Sequence, residues 1–235
     1  MAGRPTLLLL PGLLCDAALW APQVEALSDL ADCRVADLAR DESVEAMAER
    51  AVAGLPERFA VAGLSMGGYV ALAIMAAMPE RIDRLALLDT SARADTAEQK
   101  RRRQGLIQLA GRGEFKGVTP RLLPMLIHPA RIGEAALTSI VMDMAERVGK
   151  EAFLRQQKAI MGRPDRRPLL PKIHVPTLIL CGNEDALTPP ELSRELASGI
   201  ATSRLVTVPD CGHLATLERP EPTSAAMRRW LQATE

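Results

Sequence analysis

A serine set between two glycines is where this sequence first offers chemistry. In Gly63-Leu64-Ser65-Met66-Gly67 a run of β-forming residues, Phe59 to Leu64, meets a helical pattern, Met66 to Met78. A strand that turns sharply into a helix strains the backbone of the residue at the turn and crowds the positions two either side, where glycine relieves the collision. The Ser65 oxygen is then lifted above the strand's end, beside the positive N-terminus of the helix and its unpaired N–H groups. A serine hydroxyl is a poor nucleophile at neutral pH and needs a base, most often a histidine held by a carboxylate.

Only three histidines are present, so the base can be sought by elimination. His128 sits in a helical stretch, and His174, in Lys172-Ile173-His174-Val175-Pro176, leads into the N-terminal end of a strand, the edge opposite the one where such chemistry occurs. His213, in Asp210-Cys211-Gly212-His213, follows the last strand on the same edge as Ser65. For the acid, Asp185 in Gly182-Asn183-Glu184-Asp185 stands one strand earlier and is preferred. Asp89 at the end of another strand, and Glu184, remain alternatives. Acyl transfer also needs N–H donors for an oxyanion. Met66 follows the nucleophile, and Leu13 in Leu10-Pro11-Gly12-Leu13-Leu14 follows the first strand, although Gly12 also suits an ordinary strand-ending turn.

Elements that would position these residues alternate along the chain. Strands are expected at Thr6 to Leu10, Arg34 to Leu38, Phe59 to Leu64, Leu85 to Asp89, Thr177 to Cys181 and Arg204 to Val208. Several are apolar almost throughout, as strands buried on both faces are, and helices between them argue for right-handed βαβ units and a parallel sheet. The fold class is α/β, doubly wound, with six strands. Asp16 and Ser43 are read as helix caps, Thr188-Pro189-Pro190-Glu191 as a capping box, and Pro220 as the start of a last helix. The rhythm breaks between Asp89 and Thr177, where apolar residues recur at helical spacing in Ala97 to Ala110, Arg121 to Ile127, Glu134 to Val148 and Lys150 to Met161. That stretch is too long for a structureless loop. It divides the chain into a core of residues 1–92 and 165–235 and a helical insertion of residues 93–164.

Composition excludes several classes. Lys+Arg and Asp+Glu balance at 29 each, which removes the electrostatic footprint of a nucleic-acid binder. Lys100-Arg101-Arg102-Arg103 is read as a solvated helix face. Six aromatic residues are too few for a base-stacking platform. The apolar run Val70 to Met78 falls well short of the ~20 residues of a membrane span, and Pro11-Gly12 ends the N-terminal leucine run before the length of a signal sequence. Four cysteines without C-x-x-C spacing give no zinc or thioredoxin-like motif and suggest free thiols and a cytoplasmic setting. No phosphate loop, metal cluster or flavin fingerprint is found, so no cofactor is expected. Met125, Met142, Met144 and Met161 are expected to pack the insertion against the core.

Taken together, these motifs resemble the α/β-hydrolase superfamily, and most closely its small bacterial esterase and lactonase branch. Pro11-Gly12-Leu13 matches the oxyanion loop, Gly63-Leu64-Ser65-Met66-Gly67-Gly68 the nucleophile elbow, Leu180 to Asp185 with Thr188-Pro189-Pro190 the acid loop, and Cys211-Gly212-His213 the histidine loop; Ser65, Asp185, His213 is the family order. Three departures stand out: Pro11 replaces the usual histidine of the oxyanion loop, the family's first hairpin is absent, and Ala39-Arg40-Asp41-Glu42 replaces a glycine-rich turn. The resemblance implies a cap over the sheet edge and hydrolysis of a small-molecule ester or lactone, with no nucleic-acid or membrane partner. Cofactor-free perhydrolysis, carbon–carbon bond hydrolysis and a ligand receptor retaining the same three residues are the alternatives. Leu106, Leu109, Leu122, Leu126, Ile140 and Met144 are expected to form an apolar roof, with Leu187 and Leu214 in the floor. That pocket would favour aliphatic substrates.

Overall fold

The computed structural model describes residues 4–233; Met1 to Gly3, part of the N-terminal stretch discussed above, lie outside the described residues. Six strands, β1 (Thr6–Leu10), β2 (Asp32–Val35), β3 (Phe59–Leu64), β4 (Ile82–Leu88), β5 (Thr177–Gly182) and β6 (Ser203–Val208), form one sheet in the order β2-β1-β3-β4-β5-β6, every pair parallel. Successive strand residues point to opposite faces, and the core divides accordingly. Leu8, Leu10, Val61, Leu85, Leu87 and Ile179 pack on one face with α2 (Val44–Ala51), α3 (Met66–Ala77) and α7 (Pro190–Gly199). Leu7, Leu9, Ala62, Leu88, Leu178 and Leu180 pack on the other with Trp20, Leu27, Met227 and Trp230. The helices there are α1 (Ala21–Ala26), α8 (Ala215–Glu218) and α9 (Pro220–Gln232). Among the described residues no helix is long and apolar enough to cross a membrane.

Residues 93–164 run from β4 to β5 as α4 (Ala97–Leu109), α5 (Leu123–Leu126) and α6 (Ala135–Gly162) with short turns between them. Gly149, at φ 75° and ψ 176°, interrupts α6, so the two helices expected on either side of it are present. Several expected boundaries move, and β4, expected from Leu85 to Asp89, begins at Ile82 because its pairing with β3 starts at Phe59↔Ile82. The strand placed at Arg34 to Leu38 is β2, two residues earlier, because its ladder to β1 runs from Thr6↔Asp32 to Leu9↔Val35, and Asp37 then turns the chain by accepting from the Ala39 N–H. The helix expected from Ala17 to Leu30 is a 3-10 turn (Ala17–Trp20), capped by Asp16, followed by the short α1. Pro22 lacks the N–H that would carry one into the other. Thr188 does not cap α7: the helix starts without a side-chain cap, and the Thr188 hydroxyl is engaged elsewhere.

Candidate active site

Ser65 stands at the turn from β3 into α3 with φ 55° and ψ −116°, a conformation that L-residues avoid unless their surroundings enforce it. The enforcement is visible in the flanking glycines. A Cβ on Gly63 would lie 2.2 Å from the Gly67 carbonyl oxygen, and one on Gly67 would lie 2.0 Å from that of Leu10. Neither position admits a side chain. The Ser65 N–H donates to Leu88 O, and the Thr90 hydroxyl donates to Ser65 O at 2.7 Å, so the neighbouring strand fixes the turn from both sides.

His213 follows β6, and its Nε2 lies 2.8 Å from Ser65 Oγ. Its Nδ1 lies 2.8 Å from Asp185 Oδ2, with both side chains buried. Sequence elimination thus selected the histidine that meets the serine, and the preferred acid is the one that meets the histidine. Asp185 also accepts from the N–H groups of Leu187 and Thr188 and from the Thr188 hydroxyl at 2.5 Å. Burial pushes its proton affinity up, but the His213 charge and hydrogen bond together with the Thr188 donors outweigh it, and the Asp185 carboxyl is held below the usual carboxylate range. The Thr188 hydroxyl is 3.3 Å from His213 Nδ1 as well. Sequence reading missed this role because T-P-P-E is also a helix-start pattern.

The remaining candidates are placed elsewhere. Asp89, at φ 44°, is fully buried, accepts the Gly182 N–H through Oδ1 and leaves Oδ2 without a partner among the described residues. Burial first, and then the Asp185 charge, push its carboxyl well above the ordinary range. Glu184 is exposed and accepts the Cys211 N–H. His128 accepts the Ala130 N–H through Nδ1, and His174 is exposed. The histidine loop is braced by a residue not anticipated: buried Glu218 accepts the Leu214 N–H through one oxygen and the His128 N–H through the other.

On the first strand's side, Gly12 approaches Ser65 so closely that a Cβ there would lie 3.5 Å from Ser65 Cβ. The Leu13 N–H makes no hydrogen bond among the described residues, and that of Met66, the first residue of α3, has no intrahelical partner. Leu14 has φ 58°, and its N–H donates to Gln156 Oε1 while Gln156 Nε2 donates to Leu38 O. A buried amide from α6 therefore holds the loop in which Pro11 stands. At the neighbouring Cys15, burial and the Asp16 carboxylate push the thiol up to about 12.

Ser65 and His213 open into a cavity of about 560 Å³ beneath the helical segment, large enough for a small organic molecule. Leu126, Leu187 and Leu214 line it as expected, together with Leu106, Leu109 and Leu122. Met144 does not: it is wholly buried in the core beneath the helices, because its position on α6 faces the sheet. Ile140 is also outside the lining. Nor is the roof purely apolar. Arg102 and Arg103 line the cavity, and Arg103 is drawn inward to Asp95 and Gln157, which corrects the reading of that basic run as a wholly solvated face. Phe115 and Phe153 also face the cavity and pack together with centroids 5.2 Å apart.

A model of the alpha/beta hydrolase family matches residues 7–226. The chain is 28% identical over 202 residues to a pimeloyl-[acyl-carrier protein] methyl ester esterase of Neisseria meningitidis, a match covering 84% of this chain and 78% of the relative. Its structure is similar to that of a thermophilic esterase from Thermogutta terrifontis, with a TM-score of 0.89 and 31% identity over 98% of this chain and 90% of the other. The enol-lactonase from Burkholderia xenovorans LB400 gives a TM-score of 0.88 and 27% identity, covering 99% of this chain and 93% of the other.

Proposed function

Since this chain belongs to the alpha/beta hydrolase family, we propose that it is a serine hydrolase cleaving a carboxylic ester or lactone through an acyl-enzyme. The observation that carries the proposal is the line of two 2.8 Å contacts from Ser65 Oγ through His213 to Asp185 at the base of a cavity. Esterases and an enol-lactonase among the similar proteins support it.

In the proposed mechanism Ser65 Oγ attacks the scissile carbonyl while His213 Nε2 takes its proton, and the carbonyl oxygen, now negative, receives the N–H groups of Leu13 and Met66. Asp185, ionised, stabilises the imidazolium and keeps Nδ1 protonated. His213 then returns the proton to the leaving alkoxide; in a lactone the alcohol stays tethered to the acyl group. Water, deprotonated by His213, attacks the Ser65 ester and frees the carboxylic acid. The helical segment of residues 93–164 acts as a cap that limits water around the acyl group.

A fluorophosphonate probe tests this directly. It should label the wild type and not Ser65→Ala, and the substitution should remove p-nitrophenyl ester hydrolysis. Activity surviving at more than about a hundredth of wild type would sink the mechanism, because losing the nucleophile of such a site costs far more.

A further inference from the structure

The charges around the cavity are unbalanced. Its charged lining consists of Arg93, Asp95, Arg102, Arg103, Lys116 and Arg163, five cations and one anion. Arg93 is neutralised outside by a two-pronged pair with Glu195. Asp95 is buried and shared: Oδ2 accepts from Arg103 at 2.7 Å and Oδ1 from Arg163 at 2.7 Å. Two guanidinium groups on one carboxylate leave a net positive charge. Arg163 is committed to the fold, donating also to the carbonyls of Arg93 and Ile160 and lying 4.0 Å over the Tyr69 ring.

Arg103 is committed on two sides only. Its Nε holds Asp95 and its Nη1 holds the buried Gln157 oxygen at 2.9 Å. Its Nη2 has no partner among the described residues, and 22% of the side chain remains exposed at the cavity. A guanidinium already immobilised loses little further freedom on binding, and its planar donor edge matches a carboxylate. Arg102, the next residue along α4, is exposed and makes no ion pair among the described residues. Tyr69 follows Ser65 by one turn of α3 and lines the same cavity, so the basic end and the nucleophile share one space. Leu106, Leu109 and Phe115 supply apolar wall in it.

We propose that Arg103, with Arg102, binds an ionised carboxylate of the substrate, which is therefore an ester or lactone carrying a second acid group at the far end of a short apolar chain. The proposal rests on the ester-cleaving reading above. It replaces the neutral aliphatic substrate that the sequence alone suggested.

The test compares kcat/KM for monomethyl esters of straight-chain dicarboxylic acids with that for methyl alkanoates of matching length. At the best length the acid-bearing ester should be preferred by about tenfold or more. Arg103→Met should cut that preference ratio by about tenfold, and Arg103→Lys, which keeps the charge but loses the planar donor edge, should keep only part of it. Arg102→Met, on an exposed face that cannot unfold the chain, should cut it by less. A ratio near one at every length, or a ratio unmoved by Arg103→Met and Arg102→Met, would overturn the proposal. Titration calorimetry on Ser65→Ala separates the two readings. Free dicarboxylates should bind more tightly than their diamides, and Arg103→Met should abolish the difference; equal binding again overturns the anion site. If binding behaves as expected while no ester is hydrolysed, it is the ester-cleaving reading that falls.

Discussion

Strands β4 and β5 lie side by side, end at the same edge of the sheet and each deliver an aspartate there that water barely reaches. Asp185, after β5, accepts from two backbone N–H groups, the Thr188 hydroxyl and the His213 ring. Asp89, ending β4, accepts from the Gly182 N–H and has one oxygen without a partner among the described residues. Burial raises the proton affinity of both, but their fates diverge: Asp185 is held below the ordinary carboxylate range and Asp89 is pushed well above it. The His213 charge and the donors around Asp185 lower it, while burial and the Asp185 charge raise Asp89. Once Asp185 is ionised, its field makes a charge at Asp89 costlier still, so the two strand ends shift their carboxyls in opposite directions.

The contrast breaks most sharply in activity. Asp185→Asn should lower kcat by about 10³ to 10⁴, because the imidazolium loses its counter-charge and its tautomer is no longer fixed. Asp89→Asn should stay within about threefold, since Asp89 makes no hydrogen bond to His213 or Ser65 among the described residues and an amide oxygen can still accept the Gly182 N–H. Steady-state kinetics on the pair checks this, and the reverse order would move the acid to β4. Thr188→Val should cost less, about tenfold in kcat, as one hydrogen bond to a charged acceptor is worth ~1.5–3 kcal/mol and part of it is retained by the two backbone donors.

The smallest effect is thermal and runs the other way. An acid whose proton affinity rises on folding stays protonated in the folded chain while the unfolded chain ionises. Its penalty is therefore absent in strong acid, grows as pH climbs through the carboxylate range and is complete above the folded value. Asp89→Asn removes that penalty. Its Tm at pH 8 should exceed that of the wild type, as thermal melts across a pH series check. The gap should close towards pH 4. A gap that widens in acid would mean that Asp89 is ionised in the folded protein. Asp185 has the opposite sign: its contribution to stability is present above the ordinary carboxylate range and disappears as pH falls through its lowered folded value.

What the sequence disclosed about this edge follows from the range of the interactions involved. The elbow around Ser65 is a local event, in which glycines two positions away answer a backbone strain, so it is written within five residues. The strands β1 and β3 coincide with their expected limits because both faces of each are buried and apolar residues run their full length. The edge strand β2 is half exposed, and its limits come from pairing with β1. Thr188 reaches Asp185 from three positions away and was hidden by its helix-start pattern, whereas Gln156 and Glu218 were not legible because each acts on a partner that only the tertiary fold brings near, across 142 and 90 positions. The roof was read as apolar for the same reason. Helical spacing identifies the leucines of α4, but nothing local says that Asp95 and Gln157 will turn Arg103 from solvent into the cavity.

The single amide of Gln156 spans two loops, taking the Leu14 N–H on its oxygen and giving its nitrogen to Leu38 O. Leu14 is the left-handed residue next to the Leu13 N–H, so the shape of the loop after β1 is set from a helix that joins the chain more than a hundred residues later. For anyone grafting this segment, that makes α6 part of the scaffold. Exchanging residues 97–126 would alter the cavity wall, whereas exchanging the whole of 93–164 would remove the clasp on the loop beside Ser65. Specificity can be redesigned in α4 and α5; α6 has to travel with the sheet.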